Sequence, residues 1–231
     1  MVGIAAANSR PRLKVCCIAS IEEAQLAIRH GAHALGLVST MPSGPGVIPD
    51  DRIAEIAKSV PPVVSTFLLT SARRVEVIVE QQRRSGVDTI QLCDALAPGQ
   101  LRRLRSLVPQ VSIVQVIHVV AETAIDEARN AAREAHALLL DSGNPSKTVK
   151  ELGGTGRTHD WSLSRAIRDE VGIPVWLAGG LTPENVADAV QRVRPFGVDV
   201  CSGLRVENRL DEDRLVRFAR NLEKVAVSGT R

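Results

Sequence analysis

Tyrosine is absent from this chain of 231 residues, and only two Trp and three Phe supply aromatic rings. A base-stacking platform or an aromatic cage needs several rings on one face, so a reader of single-stranded nucleic acid has almost nothing to be built from. A large excess of one charge is missing too: 29 Lys and Arg stand against 26 Asp and Glu, a formal charge of +3. That balance creates no broad field for a polyanion. No apolar run approaches the eighteen residues of a membrane span. Residues 1–12 lack the charged, then apolar, then small-residue order of a secretory signal. A cytoplasmic protein with neither nucleic acid nor membrane as partner is expected. Cysteine is scarce: Cys16, Cys17, Cys93 and Cys201 are too few and too irregularly spaced for a disulfide framework or a paired Cys-x-x-Cys zinc site, and read as reduced thiols.

What is present is globular: 44% apolar and 24% charged residues. With so few rings, the core must be aliphatic. On length alone one large α/β domain or two small ones would fit. Short β-branched runs alternate with longer amphipathic stretches, which favours parallel strands joined by helices. The pattern predicts strands over 13–18, 34–38, 63–68, 89–92, 112–117, 137–141, 174–177 and 198–201. Helices are predicted over 21–30, 51–60, 72–85, 97–107, 123–135, 162–171, 183–194 and 211–224. Ser20 with Glu22 and Glu23, and Thr182-Pro183-Glu184, read as helix starts, while Gly31, Gly86 and Gly172 fall just past helix ends. No linker or low-complexity block divides the eight units. They predict one (β/α)8 barrel over 13–231 behind an N-terminal extension of residues 1–12; an open doubly wound sheet is the alternative.

Barrels carry their reactive groups where strands end at the C-terminal mouth. Gly179-Gly180 and Ser202-Gly203 follow the seventh and eighth strands, where small residues let backbone N–H groups approach a phosphate. Either pair alone would also serve as a plain strand-to-helix turn. Gly153-Gly154-Thr155-Gly156 adds a third flexible loop. Asp141 ends the apolar run Ala137-Leu138-Leu139-Leu140. A carboxyl against low-dielectric walls keeps its proton at higher pH and can act as a general acid, although Asp-Ser-Gly is also turn chemistry. Cys16 is either an inert filler or a thiol able to take a carbon-bound proton.

Several motifs, in order, make the chain resemble the phosphoribosylanthranilate isomerase family of barrels in tryptophan biosynthesis. Lys14-Val15-Cys16 resembles the family's Lys-Ile-Cys-Gly, Gly31-Ala32-His33-Ala34-Leu35-Gly36 its Gly-Ala-Asp-x-Leu-Gly, and Gln91-Leu92 its Gln-Leu-His-Gly. Leu140-Asp141, Gly153-Gly154-Thr155-Gly156 with Asp160-Trp161, Leu177-Ala178-Gly179-Gly180-Leu181-Thr182-Pro183-Glu184-Asn185-Val186, and Gly197-Val198-Asp199-Val200 with Ser202-Gly203 continue the likeness. The resemblance implies an Amadori rearrangement of a phosphorylated sugar, with no metal or organic cofactor, in a monomer or homodimer. It implies Asp141 as general acid and Cys16 as general base. Gly179, Gly180, Ser202 and Gly203 would bind phosphate, with Asp199 and Gly156 close to the substrate.

Departures cluster at the aromatic end of the expected substrate. The family's Ser-Pro-Arg, whose Arg lies near the anthranilate carboxylate, is replaced by Ser43-Gly44-Pro45-Gly46-Val47. Cys17 stands for a Gly, Cys93 for a His, Cys201 for a Ser and Arg205 for a Glu. Two expectations follow: Arg205 supplies the lost cation from another loop, or the substrate differs. Cys16, Cys17, Cys93, Cys201 and His118 near one mouth also leave open a zinc site, and a catalytically silent sugar-phosphate sensor is a third reading. His30, His33, His136 and His159 are expected to be solvated or capping, Arg73-Arg74, Arg83-Arg84 and Arg102-Arg103 to lie on outer helix faces, and Trp161 and Trp176 to pack.

Overall fold

Apolar strands buried on both faces can only be satisfied by a layer of helices outside and side chains inside. The computed structural model builds that arrangement, and describes residues 10–143, 152, 156 and 158–228. Eight strands close into a parallel barrel in chain order: β1 Arg12–Val15, β2 Ala34–Val38, β3 Ser65–Thr70, β4 Thr89–Leu92, β5 Ser112–His118, β6 Ala137–Asp141, β7 Val175–Leu177 and β8 Gly197–Val200. The helices are α1 Ile21–Arg29, α2 Asp50–Ser59, α3 Val75–Ser85, α4 Gln100–Leu107, α5 Thr123–Ala132, α6 Trp161–Glu170, α7 Val186–Val193 and α8 Glu212–Ser228. The ring closes where β1 pairs with β8, Lys14 opposite Asp199 and Val15 opposite Val200.

Alternation along each strand sorts the core into two populations. Leu13, Val15, Leu35, Leu37, Leu138 and Leu140 face outward into the layer beneath the helices. Cys16, Phe67, Leu69, Val114, Leu139 and Trp176 face inward and fill the barrel. Trp176 packs edge-on against Phe67 and Phe196, with ring centroids 6.0 and 5.3 Å away. Gly197 makes that possible, since a β-carbon there would sit 2.5 Å from the indole ring. Trp176 therefore packs the interior two residues below the level of Asp199, and the usable space is at the C-terminal mouth.

Three side chains do the same job at the opposite end. His33 Nδ1, Asp88 Oδ2 and His136 Nδ1 accept from the N–H groups of Leu13, Thr66 and Ile113 at 3.2, 2.9 and 2.9 Å. Each precedes an even-numbered strand and satisfies the second residue of the strand before it. His30 pairs with Glu212 at 2.7 Å, and the paired arginines of α3, α4 and the loop before α3 are exposed, as expected.

All eight predicted units are present, but several boundaries move. The first strand stops at Val15 rather than 18, because Cys17 adopts φ 62° and turns the chain out of the sheet. The third starts at Ser65 rather than 63: Pro61 and Pro62 open a turn closed by Val64 N–H on Pro61 O, leaving Val63 88% exposed. Helix α4 waits for Gly99, which caps it at φ 78°, and α7 begins three residues after Pro183. Ser20 does cap α1, accepting from Glu23 N–H at 3.2 Å. A hairpin of β9 Arg205–Val206 and β10 Arg209–Leu210 was not expected; Glu207 and Asn208, at φ 49° and 63°, make the left-handed pair that such a two-residue turn requires. Residues 1–9 of the expected extension and Gly153-Gly154-Thr155 lie outside the described residues.

Candidate active site

Inward positions at the ends of β1, β4, β6 and β8 converge on one open cleft of about 690 Å³. Its lining includes Cys16, Gln91, Cys93, Asp141, Gly156, Gly179, Gly180, Asp199 and Ser202. A second cleft of about 780 Å³ continues outward from it, sharing Gly156, Gly180, Leu181 and Ser202 and adding Gly203, Arg214 and Arg217. The expected acid, base and glycine loops are thus brought together.

The deepest feature is an ion pair. Lys14 is wholly buried, with Nζ 2.8 Å from Asp199 Oδ2, 3.8 Å from Cys16 Sγ and 5.1 Å above the Phe67 ring. Burial alone would favour loss of its proton, but the Asp199 carboxylate and the neighbouring Cys16 outweigh burial and hold Lys14 as an ammonium. Asp199 Oδ1 is buried without a partner, as is Gln91 Oε1. Two acceptors in one cleft are thus free for donors of a ligand.

Asp141 is 6% exposed. Burial pushes its carboxyl above the usual carboxylate range, and the Asp199 charge adds to this; the 2.7 Å bond from Ser142 N–H and the nearby His118 and Lys14 act in the opposite direction without reversing it. Asp141 thus holds its proton more readily than an exposed carboxyl, the direction that an acid needs. Cys16 lies on the same face of the chain as Lys14, two residues on. Room for both comes from Gly36 on β2, where a β-carbon would stand 2.7 Å from Cys16 Sγ and 3.2 Å from Lys14 Nζ.

The glycine loops are tightly apposed. A β-carbon on Gly203 would fall 2.0 Å from Leu181 O, and Gly179 and Gly180 hold φ 81° and 62°. Backbone N–H groups can approach an anion there as side-chain-bearing residues could not. Thr182 does cap locally, its hydroxyl accepting from Glu184 N–H at 3.2 Å.

Arg205 is placed differently from the expectation. Its guanidinium grips both oxygens of Glu23 at 3.0 Å, donates to Asn208 O at 2.8 Å and to Cys17 O, and is 8% exposed. It lines neither cleft. The reason is Glu23, a first-turn residue of α1 that the sequence suggested only as a helix-dipole partner. The wall that carries the Ser43-Gly44-Pro45 segment is formed with Val38, Met41 and Leu69, and among the described residues no Lys or Arg lines the inner cleft, Lys14 being buried beneath it.

The zinc reading finds no support. Among the described residues no three His, Cys, Asp or Glu side chains are grouped to hold a metal ion. Cys93 is a buried thiol pushed well up by burial, taking a weak 3.8 Å bond from Gln91 Nε2, and His118 Nε2 is 3.0 Å from Cys93 O. Lys14, Gln91, Arg214 and Arg217 are the residues that sequence reasoning left without roles. For Lys14 a signal existed: a charged residue in an apolar strand, two positions before Cys16.

A family model described as N-(5'phosphoribosyl)anthranilate (PRA) isomerase matches residues 13–218. The N-(5'-phosphoribosyl)anthranilate isomerase of Methanocella arvoryzae is 35% identical over 206 residues, 89% of this chain and 94% of that protein. That of Haloarcula marismortui is 37% identical over 215 residues, 92% of this chain and 96% of that protein. Among solved structures, phosphoribosyl anthranilate isomerase from Thermotoga maritima superposes with a TM-score of 0.79 at 30% identity, covering 93% of this chain and 99% of that one. A complex of such an isomerase with reduced 1-(o-carboxyphenylamino)-1-deoxyribulose 5-phosphate gives a TM-score of 0.76 at 28% identity, covering 93% of this chain and 99% of that one. No helix among the described residues is long and apolar enough to cross a membrane.

Proposed function

The chain belongs to the N-(5'-phosphoribosyl)anthranilate isomerase family, and from that premise we propose how its own residues divide the work of an Amadori rearrangement. The enzyme converts N-(5'-phosphoribosyl)anthranilate to 1-(o-carboxyphenylamino)-1-deoxyribulose 5-phosphate. Asp141, whose carboxyl pKa burial raises, gives its proton to the furanose ring oxygen; the ring opens and the C1′–N bond becomes an iminium. The iminium acidifies the C2′ proton, which Cys16 removes, and the electron pair of the broken C–H bond moves to give an enolamine. Tautomerisation yields the ketone. Acid and base are different groups in different environments, so neither has to serve both ends of the reaction.

Lys14 positions the base: its ammonium donates to Cys16 Sγ and also anchors Asp199. The free Oδ1 of Asp199 is an acceptor for a sugar hydroxyl. Backbone N–H groups of Gly179, Gly180, Ser202 and Gly203 take the phosphate, with Arg214 and Arg217 adding positive charge along the outer cleft and Gly156 at the shared rim. The aromatic ring lies on the apolar wall of Val38, Met41, Pro45 and Leu69. Every group comes from one chain, so the site is complete in a monomer and equally in a homodimer of this small-molecule enzyme. Its free thiols suit a reducing cytoplasm.

The observation that carries this reading is the convergence of Cys16, Asp141 and the glycine loops on one cleft. Complementation of a tryptophan auxotroph lacking the isomerase tests it. Wild type restores growth, while Cys16→Ala and Asp141→Asn do not, with kcat lowered by ~10²–10⁴-fold in purified protein. Growth with either variant would remove that residue from its role.

A further inference from the structure

Three thiols remain outside the proton transfers, and two of them meet. Cys17 follows β1 and Cys201 follows β8, and the pairing of Val15 with Val200 sets the two chain exits side by side. Cys16 N–H continues the ladder by donating to Val200 O at 2.9 Å. The sulfurs themselves are 2.7 Å apart. The two free thiols are therefore within reach of one another without a rearrangement of the chain.

The backbone keeps Cys17 there at a cost. Its φ of 62° is a left-handed conformation that a β-carbon disfavours, and the chain holds it through Arg205, which donates to Cys17 O, and through a 3.6 Å contact of Sγ with Pro45 O. The two sulfurs are also electrically unequal. The hydrogen bond with Cys17 and the Arg205 charge hold the Cys201 thiol below its ordinary range against the effect of burial. Hydrogen bonding to Cys16 and Cys201, with burial, pushes Cys17 up. One sulfur is the readier nucleophile and the other keeps its proton.

We propose that Cys17 and Cys201 are an oxidation site, closing to a reversible disulfide when the protein meets a peroxide. The Cys201 thiolate attacks a peroxide oxygen, the O–O bond breaks, and hydroxide leaves a sulfenic acid on Cys201. The Cys17 sulfur then displaces the sulfenic oxygen; the S–S bond forms, the S–O bond breaks, and the thiol proton leaves with that oxygen as water. Two thiols lose two electrons and one hydrogen peroxide becomes two waters. An external dithiol reverses the bond by exchange. Because the sulfurs are already so close, the barrel need not open to form it. The pair intercepts peroxide beside Cys16 and captures its own sulfenic acid before further oxidation. The geometry stands whether or not Cys16 is the base.

Reduced protein is treated with equimolar hydrogen peroxide, blocked with N-ethylmaleimide and digested with trypsin without reductant. The expected product joins peptide 15–29, with one N-ethylmaleimide on its remaining thiol, to peptide 193–205, two hydrogens lighter than the sum of those two species, and the thiol titre falls from four to two and recovers with dithiothreitol. Cys16 and Cys17 share one peptide, so fragment ions of the wild-type product must place the link on Cys17. The link persists in Cys16→Ser and vanishes in Cys17→Ser and Cys201→Ser. A link on Cys16, or stepwise conversion of Cys201 to sulfinic acid with no link, overturns the proposal.

Discussion

Lys14 Nζ and Asp199 Oδ2 meet 2.8 Å apart across the β1–β8 seam, with neither side chain more than 7% exposed. A buried pair of this kind contributes little net stability over an apolar pair but is costly to break singly. Lys14→Met is therefore expected to lose about 3–5 kcal/mol by stranding a buried carboxylate, and Lys14→Met with Asp199→Leu to regain much of that. Urea midpoints of wild type and the two variants decide it: a double variant less stable than Lys14→Met would contradict the pairing. Both variants should be inactive.

Gly36 is a catalytic-site residue only through what it leaves empty. In Gly36→Ala the added methyl would lie 2.7 Å from Cys16 Sγ and 3.1 Å from Cys16 Cα. Displacing a reacting group by about 1 Å costs on the order of 10²-fold in rate, so kcat should drop by about that much with the thermal midpoint little moved. An unaltered kcat would show that Cys16 has freedom the packing denies it.

Arg205 holds structure rather than substrate. Arg205→Ala leaves Glu23, 16% exposed, without its cation, and frees the carbonyl of Cys17. A loss of about 2 kcal/mol is expected from hydrogen bonds to a charged group, with KM for the phosphorylated substrate within about threefold of wild type. A large KM increase at unchanged stability would restore it to carboxylate recognition.

Acid sensitivity follows from the histidines. Burial holds His159 down to about 4, its Nε2 2.6 Å from Ser164 Oγ, and burial also lowers His33 and His136. The unfolded chain binds protons that the folded one refuses, so their contribution is full above about pH 6.5 and is lost as pH falls towards 4. One proton gives a slope of at most about 1.4 kcal/mol per pH unit. His159→Gln should flatten that limb of stability against pH between 6.5 and 4; an unchanged slope would locate the acid sensitivity elsewhere.

The number, type and order of the barrel units were legible because each strand is a short, largely apolar run and each helix is amphipathic. Boundaries were less so. Val63 has the residue type of a strand but is lifted out by two prolines, and Cys17 ends its strand by a φ that no side chain announces. That Cys16, Asp141 and the glycine pairs gather at one mouth was legible from their places after apolar runs. Arg205 was misread because its partner Glu23 is 182 positions away, and a single sequence does not show which of two loops a guanidinium will meet. The buried ammonium of Lys14 was missed for the same reason: only closure of the ring brings Asp199 beside it.

That closure places a constraint on biosynthesis. The first strand leaves the ribosome with its lysine in a stretch destined for the interior, and the carboxylate that neutralises it is encoded 185 residues later. At roughly 5–20 residues per second the wait is about 10–40 s. Until then the nascent chain can assemble strand–helix units but cannot seal them into a ring. A translational pause ahead of the eighth strand would prolong an open, chaperone-dependent state, and slow codons there should reduce yield more than the same codons placed downstream of it.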